Sequence, residues 1–430
     1  MIKTNNRYSL QPILFDVKTA HKQKQIEYKK NGDVIVRYEI DGNKEEILVP
    51  STHQFPTIMA SFQDLGKALS QTSNSPLLKE KKNLREMYEE EFASYEKMVE
   101  QCLESGHWEP DYGSYVFDKV QNELFMVLPE FWHRLGLVTN NSKLLTDQEN
   151  KKSWQEIRTK FDGAVIGVIG ASVGGNLVEG IMREIRPKQM KVADYDWVEL
   201  TNLNRFERGS IRHLISSRAS RFDPKNQYDM VRVNKAELTA YMQQMLDPYS
   251  SWYVYPEGLH AQNIERFLIG DGASEPRLDI LVEECDDLRL KIELRELARK
   301  HNIPVLMMSD FGHMVQGQFQ NYSDKKYTSI GYKTTDLDIT TSLELAMTSG
   351  RREDRFEFIH KLCGEEFEND EFGLWIKGDG EQPTSSLPQS GATAMTSGGI
   401  GAKIIALYLL GYSIPERFIY DLKHIKVTVG

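Results

Sequence analysis

Hydrophobic positions change their period several times along the chain. The run Asp33-Val-Ile-Val-Arg-Tyr-Glu-Ile40 and the shorter Glu46–Val49 alternate apolar and polar residues around Asp41-Gly42-Asn43, a hairpin-type turn. This predicts a small antiparallel piece within residues 1–75. From 77 to 104 charge density rises and apolar residues such as Leu84, Met87, Phe92, Tyr95, Val99 and Leu103 recur at helical spacing, which predicts an amphipathic helix with a solvated acidic face. The bulky groups of 114–137, among them Tyr115, Phe117, Leu124, Phe131 and Trp132, read as further helix packing.

The pattern changes at Ala164. Val165–Ile169 is a continuous apolar run, as a parallel strand buried on both faces requires. Gly170-Ala-Ser-Val-Gly-Gly175 follows and leads into a helix over 176–185. Strands over 190–193, 252–255, 278–282 and 304–308 then alternate with helices beginning near Asn234, over 263–268 and over 288–299. Such alternation predicts an α/β fold, a doubly wound, Rossmann-like and mostly parallel sheet. Residues 320–390 read as irregular and polar, Gly398–Leu410 as a buried helix, and Ile425–Val429 as a last strand, with no internal repeat. Two regions follow: an α+β stretch over 1–135, and 136–430 with its core at 160–320, a segment over 321–395 and a closing helix and strand over 396–430.

Composition narrows the function classes. With 430 residues and a formal net charge of −10, the chain lacks the basic excess that coating nucleic acid or an anionic membrane demands. Cys102, Cys285 and Cys363 stand far apart without a C-x-x-C pair, so neither a disulfide framework nor a structural zinc site is expected. No apolar leader opens the chain, and the longest apolar run, near Ile404–Leu410, is too short to cross a bilayer. A soluble protein of the reducing cytoplasm is the expectation.

The chemistry concentrates after the glycine turn. Gly170 and Gly175 hold the outer positions of G-x-G-x-x-G, with Ser172 at the middle one, and this suits either a phosphate at a helix start or an ordinary tight turn. Asp194 ends the next strand nineteen residues after Gly175, where an acid bonds ribose hydroxyls. Asn202, Arg205 and Lys235 add an amide and two cations, and Asp286 follows the strand over 278–282. The pyrophosphate of a dinucleotide needs little beyond the helix end, whereas a triphosphate being cleaved needs a divalent ion and cations on the departing charge. Two cations and a carboxylate favour ATP. An NAD(P)-dependent oxidoreductase is the alternative; it predicts a Tyr-x-x-x-Lys pair or a catalytic His facing the nucleotide, and the sequence offers no convincing candidate.

Gly170-x-x-x-Gly-Gly, Asp194-x-Asp-x-Val-x-x-x-Asn-Leu-Asn-Arg205, Lys235 twelve residues before Asp247-Pro248, and Val282-Glu-Glu-Cys-Asp286 resemble the ThiF/MoeB superfamily, which includes the ubiquitin-activating enzymes. The resemblance covers about 160–320 and continues through Ile303–Asp310 and Gly317-Gln-Phe319. Ser386–Gly391 and the glycine-rich helix after it resemble a bacterial subgroup often joined to nitroreductase-like domains, though no such domain is recognisable in these residues. The resemblance implies an ATP-dependent adenylyltransferase, acting with Mg²⁺ as a cytoplasmic homodimer on the C-terminus of a small ubiquitin-like protein or peptide. It implies a nucleotide site of Gly170, Ser172, Gly174, Gly175, Asp194, Asp196, Asn202, Arg205 and Lys235, with Asp194 on the ribose and the last three on phosphates. Asp286 would hold Mg²⁺, and Cys363, with His360 three residues before it, would carry an acyl thioester as in some relatives.

The sequence departs from the family at several positions. Ser172 replaces a glycine, Phe206 stands where many relatives have Gln, and the paired C-x-x-C zinc motifs are missing. The arginine that relatives send into the partner subunit has no match in Leu137–Lys143, which offers only Lys143, with Arg134 upstream. Plainer roles stay open beside the functional ones. Arg205 can pair with Glu207 or Asp196, Lys235 can be a solvated lysine, and either Asp286 or Asp287 can cap the helix from Leu288. Gly398, Gly399 and Gly401 suit close helix packing, and Cys285 suits a buried filler. A non-catalytic binding module on the same fold is the third function class.

Overall fold

The computed structural model describes residues 8, 10–40, 42–56, 114–127, 130, 133–134, 154–206, 233–324, 326–364 and 390–430. The chain divides into two compact units, Leu10–Lys143 and Met1–Ser9 with Leu144–Gly430.

The smaller unit opens with β1 (Ile13–Asp16) and α1 (Val17–Lys22), whose first turn Asp16 caps by accepting the Thr19 N–H at 2.9 Å. Then β2 (Ile26–Tyr28), β3 (Val34–Ile40) and β4 (Asn43–Val49) form a three-stranded antiparallel sheet, with the alternating run and Gly42 (φ +81°) making its hairpin. A second sheet joins β5 (Gln54–Pro56), β6 (Ser114–Asp118) and β7 (Glu123–Val127) to β1 in the order β1-β6-β7-β5. Here the helical reading of 114–137 fails over 114–127, while the described residues 130 and 133–134 are helical. Asp118 Oδ1 accepts the N–H groups of Val120 (2.8 Å) and Gln121 (3.3 Å), and Asn122 takes φ +56°, so the chain reverses where a helix would have to continue. The aromatic residues on either side then face a sheet core of Phe15, Val34, Val36, Tyr115, Phe117 and Leu124. The helix expected over 77–104 lies outside the described residues.

In the larger unit α2 (Trp154–Gly163) precedes β8 (Val165–Ile169), α3 (Gly174–Glu184), β9 (Gln189–Ala193), α4 (Lys235–Leu246) and β10 (Ser251–Tyr255). The chain then crosses to α5 (Ile264–Ile269), β11 (Ile280–Glu283), α6 (Leu288–Lys300), β12 (Val305–Phe311) and β13 (Met314–Gln320). Helices α7 (Asp336–Thr348), α8 (Arg352–Cys363) and α9 (Gly391–Leu409) follow, and β14 (Arg417–Asp421) and β15 (Lys426–Val429) close the unit. Its eight strands run in the order β10-β9-β8-β11-β12-β13-β14-β15. Strands β8 to β12 pair in parallel and the last three join antiparallel. Strand order therefore reverses between β8 and β11, which opens a crevice at their carboxyl ends, the place where such sheets take ligands.

Two helices interrupt what the sequence reads as an irregular stretch over 320–390, and β14 is a strand it did not reveal. Ile339, Phe358 and Leu362 of α7 and α8 close over Met307 and Phe311 of β12, a burial that weak local periodicity does not announce. Glutamines lining β13 fasten the end of α8 and the turn before α7: Gln316 Nε2 donates to the Cys363 carbonyl at 3.1 Å and Gln320 Nε2 to that of Gly331 at 3.3 Å.

On the opposite face α9 lies against α3. A Cβ on Gly398 would stand 2.5 Å from the Asn176 carbonyl oxygen, and one on Gly401 2.4 Å from a Leu177 methyl, so these two glycines let the helices touch; Gly399 faces open space. By length and composition α9 is apolar enough to cross a membrane, and its small-residue face is the one buried here.

Candidate functional site

The turn after β8 lies at the crevice. Gly170 has φ +86°, and a Cβ there would meet the Glu284 carbonyl oxygen at 2.5 Å, so only glycine fits. Its N–H donates to the Ala193 carbonyl at 2.9 Å, and the Ala171 N–H donates to Asp194 Oδ2 at 2.6 Å, which ties the turn to the end of β9. The Ser172 hydroxyl is buried without a partner among the described residues. Helix α3 starts at Gly174 with no side chain capping its first turn. Gly174 and Gly175 serve packing: a Cβ would stand 3.1 Å from Val168 Cγ1 at the first and 2.9 Å from the Phe206 ring at the second. Phe206 thus fills the space Gly175 leaves.

Asp194 also accepts the Asp196 N–H at 2.8 Å. Burial raises its pKa, while the Lys235 charge and the two N–H groups pull it back. Lys235 is only 5% exposed and places Nζ 2.9 Å from Asp196 Oδ2, so it is not a solvated lysine. Asn234 explains its position. The Asn234 side chain caps α4 by accepting the Glu237 N–H at 3.1 Å, and its Nδ2 donates to the carbonyls of Asp194 (2.9 Å), Asp196 (3.2 Å) and Pro256 (3.1 Å). One amide thereby fixes the start of α4 against the ends of β9 and β10.

Asn202 is buried, and its Oδ1 accepts the Glu199 N–H at 2.9 Å within a reciprocal cap of the turn over 200–202. Its amide oxygen is spent on shaping the loop that carries Arg205, not on a ligand. Arg205 donates through Nη1 to the Thr201 carbonyl (2.8 Å) and Asn204 Oδ1 (3.1 Å), while its Nε is buried without a partner among the described residues. Burial lowers its pKa, and the charges of Asp286, Asp310 and Glu199 act the other way. Asp196 pairs with Lys235, leaving Arg205 outside any ion pair among the described residues; Glu207 lies outside them. At the next strand end Asp287 is the helix cap, accepting the N–H groups of Arg289 (2.9 Å) and Leu290 (3.0 Å). Asp286 is exposed, with no hydrogen bond or ion pair among the described residues. No group of three metal-binding side chains occurs among those residues. Asp247-Pro248, part of the motif, ends α4 away from the crevice and shapes the turn into β10, with Asp247 Oδ1 accepting the Tyr249 N–H at 3.2 Å.

A second set of polar groups is not singled out residue by residue in the sequence, where Ile303–Asp310 enters only as a stretch resembling the strand that supports the acceptor tail. Asp310, near the carboxyl end of β12, is 4% exposed, and neither carboxyl oxygen has a hydrogen-bond partner among the described residues. Burial pushes its pKa up to about 7 against the pull of Ser397 and Arg205; the Ser397 hydroxyl lies close but short of good hydrogen-bond geometry. Glu284 is likewise raised well above the usual carboxylate range, first by burial and then by Asp310. Asn176 Nδ2 donates to the Arg205 carbonyl at 2.5 Å, but its Oδ1, like Glu284 Oε1, is unsatisfied among the described residues. Each unmade buried hydrogen bond costs ~1–3 kcal/mol, so a closed core would not gather so many. The signal available in sequence was a lone acid after the apolar run Val305–Met308, the same signal that singled out Asp194.

Cys363 opposes the thioester role. It is 2% exposed, packs among Met307, Ile330, Phe358 and Leu362, and places Sγ 3.7 Å from Met307 Sδ. Burial pushes its thiol up to about 11, the reverse of activation. Cys285 is buried with a raised pKa and packs in the sheet core. Arg134 is buried in the smaller unit, and 137–143 lies outside the described residues.

No family model matches the chain. Uncharacterized protein MT1398 of Mycobacterium tuberculosis (strain CDC 1551 / Oshkosh) is 32% identical over 142 residues, 33% of this chain, and the match spans only 16% of that protein's length. Among solved structures, PaaA has a TM-score of 0.45 at 14% identity, covering 69% of this chain and 82% of its own. Escherichia coli MccB with ATP has a TM-score of 0.43 at 15% identity, covering 68% and 70%. E. coli tRNA N6-threonylcarbamoyladenosine dehydratase, TcdA, has a TM-score of 0.41 at 15% identity, covering 66% and 98%.

Proposed function

We propose that this chain is an ATP-dependent adenylyltransferase of the ThiF/MoeB type. It activates a carboxylate, the C-terminus of a small ubiquitin-like protein or peptide, as an acyl adenylate and releases pyrophosphate. One observation carries this reading: an uncapped helix start, a ribose-type acid, a buried lysine, a half-buried arginine and an uncommitted carboxylate, drawn from five separate stretches, meet around the carboxyl ends of β8, β9 and β11.

The residues present fit the proposed ligands. Ser172 Oγ and Arg205 Nε are buried polar groups without partners among the described residues, and phosphate oxygens are the acceptors both would take. Asp286 offers hard carboxylate oxygens at the crevice, and Mg²⁺ is ordinarily held by one or two carboxylates together with substrate phosphates. When bound there, Mg²⁺ would neutralise phosphate charge. In the reaction an oxygen of the acceptor carboxylate attacks the α-phosphorus, and the bond from that phosphorus to pyrophosphate breaks. Arg205 and Lys235 offset the repulsion between carboxylate and polyphosphate and hold the leaving charge, while Asp194 orients the ribose. The module, expected over 136–430, corresponds to the larger unit, Leu144–Gly430 with Met1–Ser9, and its action as a cytoplasmic homodimer belongs to the same proposal.

Thermal stability with added nucleotide tests the reading. Mg·ATP should raise the melting temperature and NADH should not; the opposite result would replace the proposal with a dinucleotide enzyme. Exchange of labelled pyrophosphate into ATP, in the presence of an acceptor co-purified with Asp286→Ala, separates an active enzyme from a binding module that holds ATP without turnover.

A further inference from the structure

Several polar groups behind Arg205 are buried without partners among the described residues. Both oxygens of Asp310, Glu284 Oε1 and Asn176 Oδ1 have no hydrogen-bond partner among the described residues, and Ser397 beside Asp310 offers it a hydroxyl. They share one side of the sheet. In β12, Met307 and Phe311 face α7 and α8 while Met308 packs under Gly401 of α9, so Asp310, two residues on from Met308, faces α9 and meets Ser397. Glu284 stands against the start of α3, where a Cβ on Gly174 would touch its Cβ at 3.4 Å, and Asn176 sits one half-turn further along the same helix, bonded to the Arg205 carbonyl.

We propose that Asp310, with Asn176, Glu284 and Ser397 around it, is a subsite that accepts a hydrogen bond from an N–H next to the acceptor's carboxylate, namely the peptide N–H of its last residue. This rests on the adenylation reading and adds to it the residues that would hold the acceptor end. Arg205 links the two halves: its guanidinium lies in the fields of Asp286 and Asp310, so a carboxylate drawn to that cation brings its own neighbouring N–H toward Asp310. A donor arriving there satisfies oxygens that are otherwise buried unpaired. Asp310 acts by positioning and takes no part in bond breaking.

The test is equilibrium binding to the full chain loaded with Mg²⁺ and a non-hydrolysable ATP analogue. The probes are N-acetyl-glycyl-glycine, its counterpart ending in N-methylglycine, and free glycine. The first two carry the same carboxylate and differ by one N–H. Wild type should prefer the N–H probe at least tenfold. Asp310→Ala should abolish that preference, and Asp310→Asn, which keeps one acceptor oxygen, should retain part of it, with binding of the ATP analogue unchanged in both. Should Asp310→Ala fail to fold, Asp310→Asn and Ser397→Ala carry the comparison. Tighter binding of glycine than of the peptide would assign the site to an ammonium group and overturn the peptide assignment. Equal binding of the two peptides to wild type, no binding of either, or discrimination persisting in a folded Asp310→Ala would overturn the subsite itself. The adenylation reading is judged separately, by Mg·ATP stabilisation.

Discussion

Replacing Asp310 by Asn should make the protein more stable above neutral pH, which is not the usual outcome of altering a buried polar residue. The carboxyl is held at about 7 against an ordinary 3.8, chiefly by burial. Folding therefore binds a proton between those two pH values that the unfolded chain has released. Stability from this residue is fully present below about 3.8, falls as pH rises, and reaches its floor above about 7. A rise of about three pH units at ~1.4 kcal/mol each sets an upper bound of ~4 kcal/mol, which water entry and side-chain relaxation will reduce. Asn has nearly the same volume and never ionises. The variant minus wild-type difference should thus climb from pH 5 to pH 8 and then level off, and because Glu284 also titrates high, only the difference isolates Asp310. Thermal melts at each pH read it, with a gain on the order of 2–8 °C expected at pH 8. A variant less stable than wild type at pH 8, or a difference that does not change with pH, would show that the carboxylate is compensated in the folded state.

Other consequences follow from the same geometry. Gly170→Ala puts a Cβ at φ +86° against the Glu284 carbonyl, so it should cost ~2–4 kcal/mol and weaken Mg·ATP binding, as unfolding and nucleotide titration would show. Lys235→Met removes the cation beside Asp194 and Asp196; Asp194 should titrate higher still, and Mg·ATP stabilisation should fall at least tenfold in affinity. Asp286→Ala should leave the fold intact, since Asp287 caps α6, while pyrophosphate exchange falls by about a hundredfold or more. Cys363→Ala should leave adenylation and transfer unchanged at a stability cost of ~1–2 kcal/mol, and the native thiol should resist iodoacetamide at pH 8.

The described residues within 160–310 declared their backbone plainly because each signal there is local. An apolar run makes a buried strand, glycine permits the turn at 170, and Asn234 starts a helix; each acts within a few residues of itself. Alternation and a turn likewise made the hairpin of β3 and β4 legible. The misreadings fell where partners distant in sequence decide. The strand pair over 114–127 needs β1 and β5 beside it, and α7 and α8 take shape on β12. Side-chain duty is less local still. Sequence could place an acid at 286 or 287 but not say that 287 would cap α6 and leave 286 open, nor that Asn202 would be consumed by its own loop. Burial of Asp310 and Cys363 is a sum over several elements, and desolvation, which raises one to about 7 and the other to about 11, exists only once those elements have packed.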